Sequence, residues 1–235
     1  MVLSDVERWL DLLYIAADGA GLRKEDYRKA KEVAAMLDEI ARAAGRVSRR
    51  SPLVLVDAAA GKAYVGLLAA KLVFEPAGIR ARVVTIERDE KRVEQSRAAV
   101  DRLGTWIPVE CRAADVTDGS AWPDTPSIVT ALHACGSSAD AIIDQSVATH
   151  ARQLLLVPCC TSRAVGAAVG AEAQAVALGI PRQAPVRRRF IQAMVDAERT
   201  RRLEAAGYQT EVVELVGATV TPHNLLWRAR LGIKT

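Results

Sequence analysis

Leu53-Val-Leu-Val-Asp57-Ala-Ala-Ala-Gly61-Lys-Ala-Tyr-Val-Gly66 is an apolar run that ends in an acid, turns through small residues and enters a second apolar segment. That order reads as a buried parallel strand delivering its carboxyl end to a ligand-binding loop and then to a helix. Val83-Val-Thr-Ile-Glu87 repeats the strand and again closes on an acid. An acid after the second strand of such a sheet can accept hydrogen bonds from the two ribose hydroxyls of a nucleotide, so the expected ligand carries a ribose.

The loop narrows the ligand further. A pyrophosphate calls for G-x-G-x-x-G, and Ala59 and Ala63 stand where close-approach glycines would be wanted. Gly61 and Gly66 have the spacing of a P-loop, but Leu67 and Leu68 follow in place of Lys and Ser/Thr. A ligand with a ribose and no phosphate fits better, and S-adenosylmethionine is the common one. On these residues the chain resembles the class I S-adenosylmethionine-dependent methyltransferases, whose first loop is typically D-x-G-x-G. Of that pattern it keeps Gly61, and its alanines are expected at negative φ, where a Cβ is tolerated.

At 235 residues, half of them hydrophobic, the chain can bury one large core. The charged, amphipathic start Met1-Val-Leu-Ser-Asp-Val-Glu-Arg has no apolar run of signal-peptide or membrane-span length, which predicts a cytoplasmic protein without a membrane partner. Four cysteines are too few for a disulfide scaffold in a chain of this size. A net charge of +4 permits nucleic-acid binding without requiring it.

Ser4-Asp-Val-Glu7 has capping-box spacing and opens a helix carrying Val6, Trp9, Leu10 and Leu13; Tyr27 to Ala41 makes a second. From Leu53 onward strands and helices alternate: strands at 53–57, 82–87, 106–111, 127–132 and 154–157, with helices at 89–103 and 138–150 between them. This predicts an α/β, Rossmann-like fold, a mostly parallel twisted sheet with helices on both faces, closed by an antiparallel hairpin of 211–216 and 225–231. The expected organisation is an N-terminal helical extension over 1–50 and a cofactor-binding domain over 51–235, with a helical insertion at about 163–207.

Ala131-Leu-His133-Ala-Cys135-Gly136 and Leu155-Leu-Val-Pro158-Cys159-Cys160 close the fourth and fifth strands. If those strands are neighbours, both groups face the ligand crevice at the strands' carboxyl ends. With Thr221-Pro-His-Asn224 near the C-terminus, these segments resemble the methyltransferase branch that holds the eukaryotic tRNA acceptor-stem 2′-O-methyltransferases and the methyltransferase-like 25 group. The zinc-finger segments of the tRNA enzymes are absent, and Thr161-Ser162-Arg163 follows the cysteine pair where those enzymes continue with histidines.

The resemblance implies S-adenosylmethionine as cofactor and S-adenosylhomocysteine as product. It places Asp57, Ala59 and Gly61 at the methionine part, Glu87 at the ribose, Asp115 at the adenine and Leu132 beside the transferred methyl. Methyl transfer from a sulfonium is an in-line displacement, so the protein aligns the acceptor and, for a hydroxyl, removes its proton. His133 is the first candidate for that base. Cys159 or Cys160 could instead orient the acceptor, be methylated transiently, or join His133 and Cys135 on a metal; without C-x-x-C spacing no metal site is assigned. Cys111 reads as core packing and His150 as a helix-end contact.

The expected acceptor is RNA or a small molecule, with a protein as the third alternative. Arg187 and Arg188, in Val186-Arg-Arg-Arg-Phe190, with Arg163 and Asn224, are the candidate substrate contacts. Glu198-Arg-Thr-Arg-Arg202, Arg46, Arg49 and Arg50 add basic character, either phosphate-facing or as helix faces paired with Asp196, Glu198 and Glu204. Aromatics are 4% of residues, so no stacking platform for single-stranded bases is expected. The alternative of another class is a methyltransferase-like binding protein without catalysis. Oligomeric state is not legible in the sequence.

Overall fold

The computed structural model describes residues 2–15, 21–48, 50–160, 164–183 and 185–232. Its strands are β1 (Leu53–Ala58), β2 (Ala81–Glu87), β3 (Val109–Ala113), β4 (Ile128–Cys135), β5 (Gln153–Cys160), β6 (Tyr208–Glu214) and β7 (Leu225–Leu231). Its α-helices are α1 (Leu3–Leu10), α2 (Lys24–Ala44), α3 (Tyr64–Ala69), α4 (Glu90–Leu103), α5 (Ser137–Ala148), α6 (Gly166–Ala177) and α7 (Pro185–Ala205). Among the described residues the strands form one seven-stranded sheet in the order β3-β2-β1-β4-β5-β7-β6. The first five run parallel, and β7 enters antiparallel between β5 and β6. This is the doubly wound, Rossmann-like fold with a closing antiparallel hairpin.

The strand order reverses between β1 and β4, which opens a crevice at their carboxyl ends. The central strands can lie there because they are apolar on both faces: Leu55, Val56, Val83, Val84, Val129, Leu154 and Leu156 are fully buried.

The N-terminal helices are part of this packing. Val33, Met36, Leu37 and Ile40 on α2 share an apolar cluster with Val6 and Leu10 of α1, Leu67 and Leu68 of α3, and Leu55 of β1. Two buried glutamates interrupt the α2 stripe, Glu32 and Glu39. Glu39 accepts from Arg228 Nε and Nη2 of β7 at 2.8 and 2.7 Å, and Gln153 of β5 donates to the Ala43 carbonyl at 2.8 Å. Together they seat α2 across β5 and β7.

The predicted capping box of α1 does not form. The helix begins at Leu3 with Val2 at the N-cap, so Ser4 lies inside the first turn. The carboxylate of Asp26 instead caps α2, accepting from the Arg23 N–H at 2.8 Å. β5 also runs past its predicted end at Val157, through Pro158 to Cys160. No helix of the described residues is long and apolar enough to cross a membrane.

Candidate functional site

The next-to-last residue of β1 is Asp57, 2% exposed, whose Oδ2 accepts the Gly66 N–H of α3 at 2.8 Å. Burial pushes this carboxyl up to about 7; the Gly66 bond works against the shift, Glu87 adds to it and Lys29 opposes it. The close approach of α3 to β1 requires Gly66. A Cβ there would lie 3.1 Å from Asp57 Cβ and Oδ2 and from Thr85 Cγ2. Gly66 thus holds helix against strand, a role that no motif in the sequence announced.

Glu87, at the end of β2, is 8% exposed and braces the loop. Its Oε2 accepts the Gly61 N–H at 2.8 Å and its Oε1 accepts the Asp89 N–H at 3.0 Å. Each carboxylate oxygen offers a second lone-pair direction, so the same side chain can hold the loop and receive hydroxyls from a ligand. Gly61 has φ +60°, as its glycine implies.

The expectation for the alanines is overturned. Ala59 has φ +52° and Ala63 φ +56°. The loop is tied down around them: the Ala60 N–H donates to the Ile86 carbonyl at 3.0 Å and the Ala63 N–H to the Ala60 carbonyl at 2.8 Å. From the N-terminal segment, the Tyr14 hydroxyl donates to the Lys62 carbonyl at 2.5 Å, and its ring meets Tyr64 edge-on at 4.6 Å. A left-handed alanine costs about 1–2 kcal/mol, which the added entropy of a glycine in the unfolded chain only partly offsets. Ala59→Gly and Ala63→Gly are each expected to stabilise the protein by about 0.5–1 kcal/mol, read as a Tm rise of about 1–4 °C.

β4 and β5 are parallel neighbours, as the motif pair requires, and the register slips where the histidine lies. Leu132 pairs with Val157 and Ala134 with Pro158, leaving His133 as an extra residue. Pro158 has no N–H to give to the ladder, so the irregularity falls opposite it. His133 takes φ +65°, rare for a non-glycine residue, and is thrown out of the pleat. Its Nε2 lies 3.0 Å from Oε1 of Glu32, which is 6% exposed on α2; Lys29 Nζ lies 3.9 Å from the other oxygen of that carboxylate. Burial lowers the Lys29 pKa, with Glu32 and Asp57 opposing the shift. Glu32 and Lys29 were missed in the sequence. The available signal was charge at helical spacing on a buried stripe, Lys29, Glu32, Met36 and Glu39.

The remaining candidates are distributed less favourably. Asp115 is exposed beyond β3, held by the Thr117 N–H and hydroxyl at 3.0 and 2.8 Å, and the backbone bond first, then the hydroxyl, keep its carboxyl below the usual range. Leu132 is half-buried beside His133. Arg187 is a correction: it is buried, donating to Glu172 at 2.8 Å and to the Ile180 carbonyl at 2.7 Å, so it ties α7 to α6. Asn224 is another, 6% exposed with Nδ2 donating to the Val216 carbonyl at 2.7 Å, and it closes the turn between β6 and β7. Arg188 is exposed. Arg201, paired with Glu198 at 2.8 Å, follows the helix-face alternative; Arg199, fully buried, and Arg202 pair across to Asp140 and Asp144 of α5.

Cys135 is disulfide-bonded, so its sulfur is no candidate metal ligand. The thiol of Cys111 is free, and burial raises its pKa, in keeping with a packing role. Cys159 and Cys160 end β5; the roles suggested for their side chains, like Arg163 and Arg49, lie outside the described residues. Among the described residues no group of three His, Cys, Asp or Glu could hold a metal ion.

The loop after β1, the acid that ends β2 and the histidine bulged from β4 lie on the strands that border the switch-point crevice, where doubly wound sheets take their ligands. Residues 28–165 match a family model described as a methyltransferase domain, and the chain belongs to that family. A search of curated proteins finds no match. Among solved structures the chain is similar to magnesium protoporphyrin IX methyltransferase from Synechocystis PCC 6803 with bound S-adenosylhomocysteine, at 13% identity and TM-score 0.56, covering 97% of this chain and 99% of that one. It is also similar to a putative rRNA methylase from Clostridium thermocellum, at 10% identity, TM-score 0.55 and coverage of 86% and 96%. A putative class I S-adenosylmethionine-dependent methyltransferase from Listeria monocytogenes aligns at 9% identity and TM-score 0.61, over 100% of this chain and 70% of that one.

Proposed function

We propose that this protein transfers a methyl group from S-adenosylmethionine to an acceptor held at the carboxyl end of β4, with His133 taking the acceptor's proton. The observation that carries the reading is the joint placement of Asp57 near the end of β1, Gly61 in the loop that follows it and Glu87 at the end of β2, with Oε2 of Glu87 at 2.8 Å from the Gly61 nitrogen. These residues fit the cofactor. The buried Asp57 carboxylate suits the cofactor's ammonium, Glu87 suits the ribose hydroxyls, and Leu67 and Leu68 stand where a P-loop carries its phosphate-binding Lys and Ser/Thr. When bound, the cofactor supplies an electrophilic methyl on sulfur. The protein's share is to exclude water, align the acceptor and remove a proton through His133.

RNA is the acceptor class to test first, supported by the exposed Arg46, Arg50, Arg188 and Arg189. A small molecule is the second reading, favoured by a cavity of about 540 Å³ between α5, α6 and α7, lined by Ser137, Asp140, Val165, Met194 and Arg201. Incubation with methyl-labelled S-adenosylmethionine and either total RNA or a metabolite extract separates them. Label in RNA that falls steeply with salt supports the first reading, and label in the metabolite fraction supports the second. A folded, cofactor-binding protein that labels neither contradicts both.

A further inference from the structure

We propose that Glu32 of α2 is a positioning residue for His133, holding the imidazole in the orientation in which it takes the acceptor's proton; this rests on the reading of His133 given above. Glu32 projects from a helix stripe otherwise made of Val33, Met36 and Ile40, where a carboxylate with 6% exposure persists only against a partner. That partner is Nε2 of His133 at 3.0 Å. His133 is also the residue bulged from β4 at φ +65°, so its ring direction is set by what grips it and not by the regular pleat. The second carboxylate oxygen of Glu32 faces the Lys29 ammonium at 3.9 Å, so each oxygen has its own counterpart.

The chemical consequence follows from the two ring nitrogens. A carboxylate against Nε2 makes that nitrogen the N–H donor and assigns the incoming proton to Nδ1. As the acceptor's lone pair forms a bond to the methyl carbon, the carbon–sulfur pair passes to sulfur and the acceptor's proton passes to Nδ1. The imidazolium so formed is stabilised by the Glu32 charge. The helix that precedes the cofactor-binding strands would thereby set the geometry of the proton transfer.

Glu32→Gln preserves volume and removes the charge. In protein with ¹⁵N-labelled histidine, the wild type is expected to show a His133 Nε2–H proton shifted downfield by the carboxylate, and Glu32→Gln to lose that shift. The dissociation constant for S-adenosylmethionine should stay within about twofold, while kcat on whichever of total RNA or metabolite extract accepts label falls at least about tenfold, with KM changed less than about threefold. Glu32→Asp should recover part of the loss. A wild-type spectrum without the shifted proton overturns the proposal whatever the turnover, and so does a Glu32→Gln kcat within about twofold of wild type. A wild-type protein that binds no S-adenosylmethionine overturns the methyltransferase reading instead, and the histidine spectrum then still decides whether Glu32 grips the ring.

Discussion

His133→Ala is expected to lower methyl transfer by about 10²–10⁴-fold, the range set by loss of a positioned general base, while leaving the S-adenosylmethionine dissociation constant within about twofold. The two readouts separate because the proposed cofactor contacts come from β1, β2 and the loop between β1 and α3, whereas His133 belongs to the bulge of β4. Alanine keeps the backbone demand at φ +65°, so the substitution adds little new strain there. It does leave the buried Glu32 carboxylate without its partner at 3.0 Å, and a stability loss of about 1–3 kcal/mol should accompany the change. Thermal unfolding of the variant beside its single-turnover rate distinguishes a lost base from a lost fold. Full activity in a stable His133→Ala protein removes His133 from the chemistry.

The second large effect concerns the Asp57 carboxyl, pushed up by burial to about 7. A cofactor ammonium beside it favours the ionised form, so S-adenosylmethionine should bind more weakly as pH falls below 7, approaching tenfold per unit. Titration at pH 6 in two buffers of different ionisation heat is expected to show release of close to one proton on binding. Asp57→Asn should bind at least about tenfold more weakly at pH 7.5, without proton release and with a flat profile between pH 6 and 7. The same shift acts on stability with the opposite sign. Because the folded value, about 7, exceeds the ordinary value of 3.8, the contribution of this group is fully present below 3.8 and is lost as pH rises through about 7. Unliganded wild type should therefore lose Tm relative to Asp57→Asn across that interval. A wild-type binding profile that is flat from pH 6 to 7 contradicts this account of Asp57.

The sheet was legible because its signal is local and redundant. Asp57 and Glu87 each end an apolar run, and both lie at the crevice with their predicted neighbours. The two cysteine-bearing motifs share one site only if β4 and β5 are neighbours, a condition that the sheet meets. What escaped depends on contacts distant in sequence. Arg187 and Asn224 are residue types that usually face solvent, and only Glu172 and the Val216 carbonyl show that both are structural. Glu32 lies 101 positions from His133, and the charges at helical spacing on the buried stripe of α2 do not say which strand residue they meet. The alanines at positive φ escaped for a related reason: conformational preference is a modest energy, and the Ala60, Ala63 and Lys62 hydrogen bonds outweigh it.

The most direct measurement is calorimetric titration of the folded protein with S-adenosylmethionine and S-adenosylhomocysteine, after denaturing a sample to find whether either co-purified. Saturable one-to-one binding of both is expected, lost in Glu87→Ala, because that carboxylate holds the loop through the Gly61 N–H and is the proposed ribose contact. A folded, ligand-free protein that gives no heat and no thermal shift with either compound would contradict the cofactor assignment, and the left-handed alanines would then mark a loop that no longer receives a cofactor.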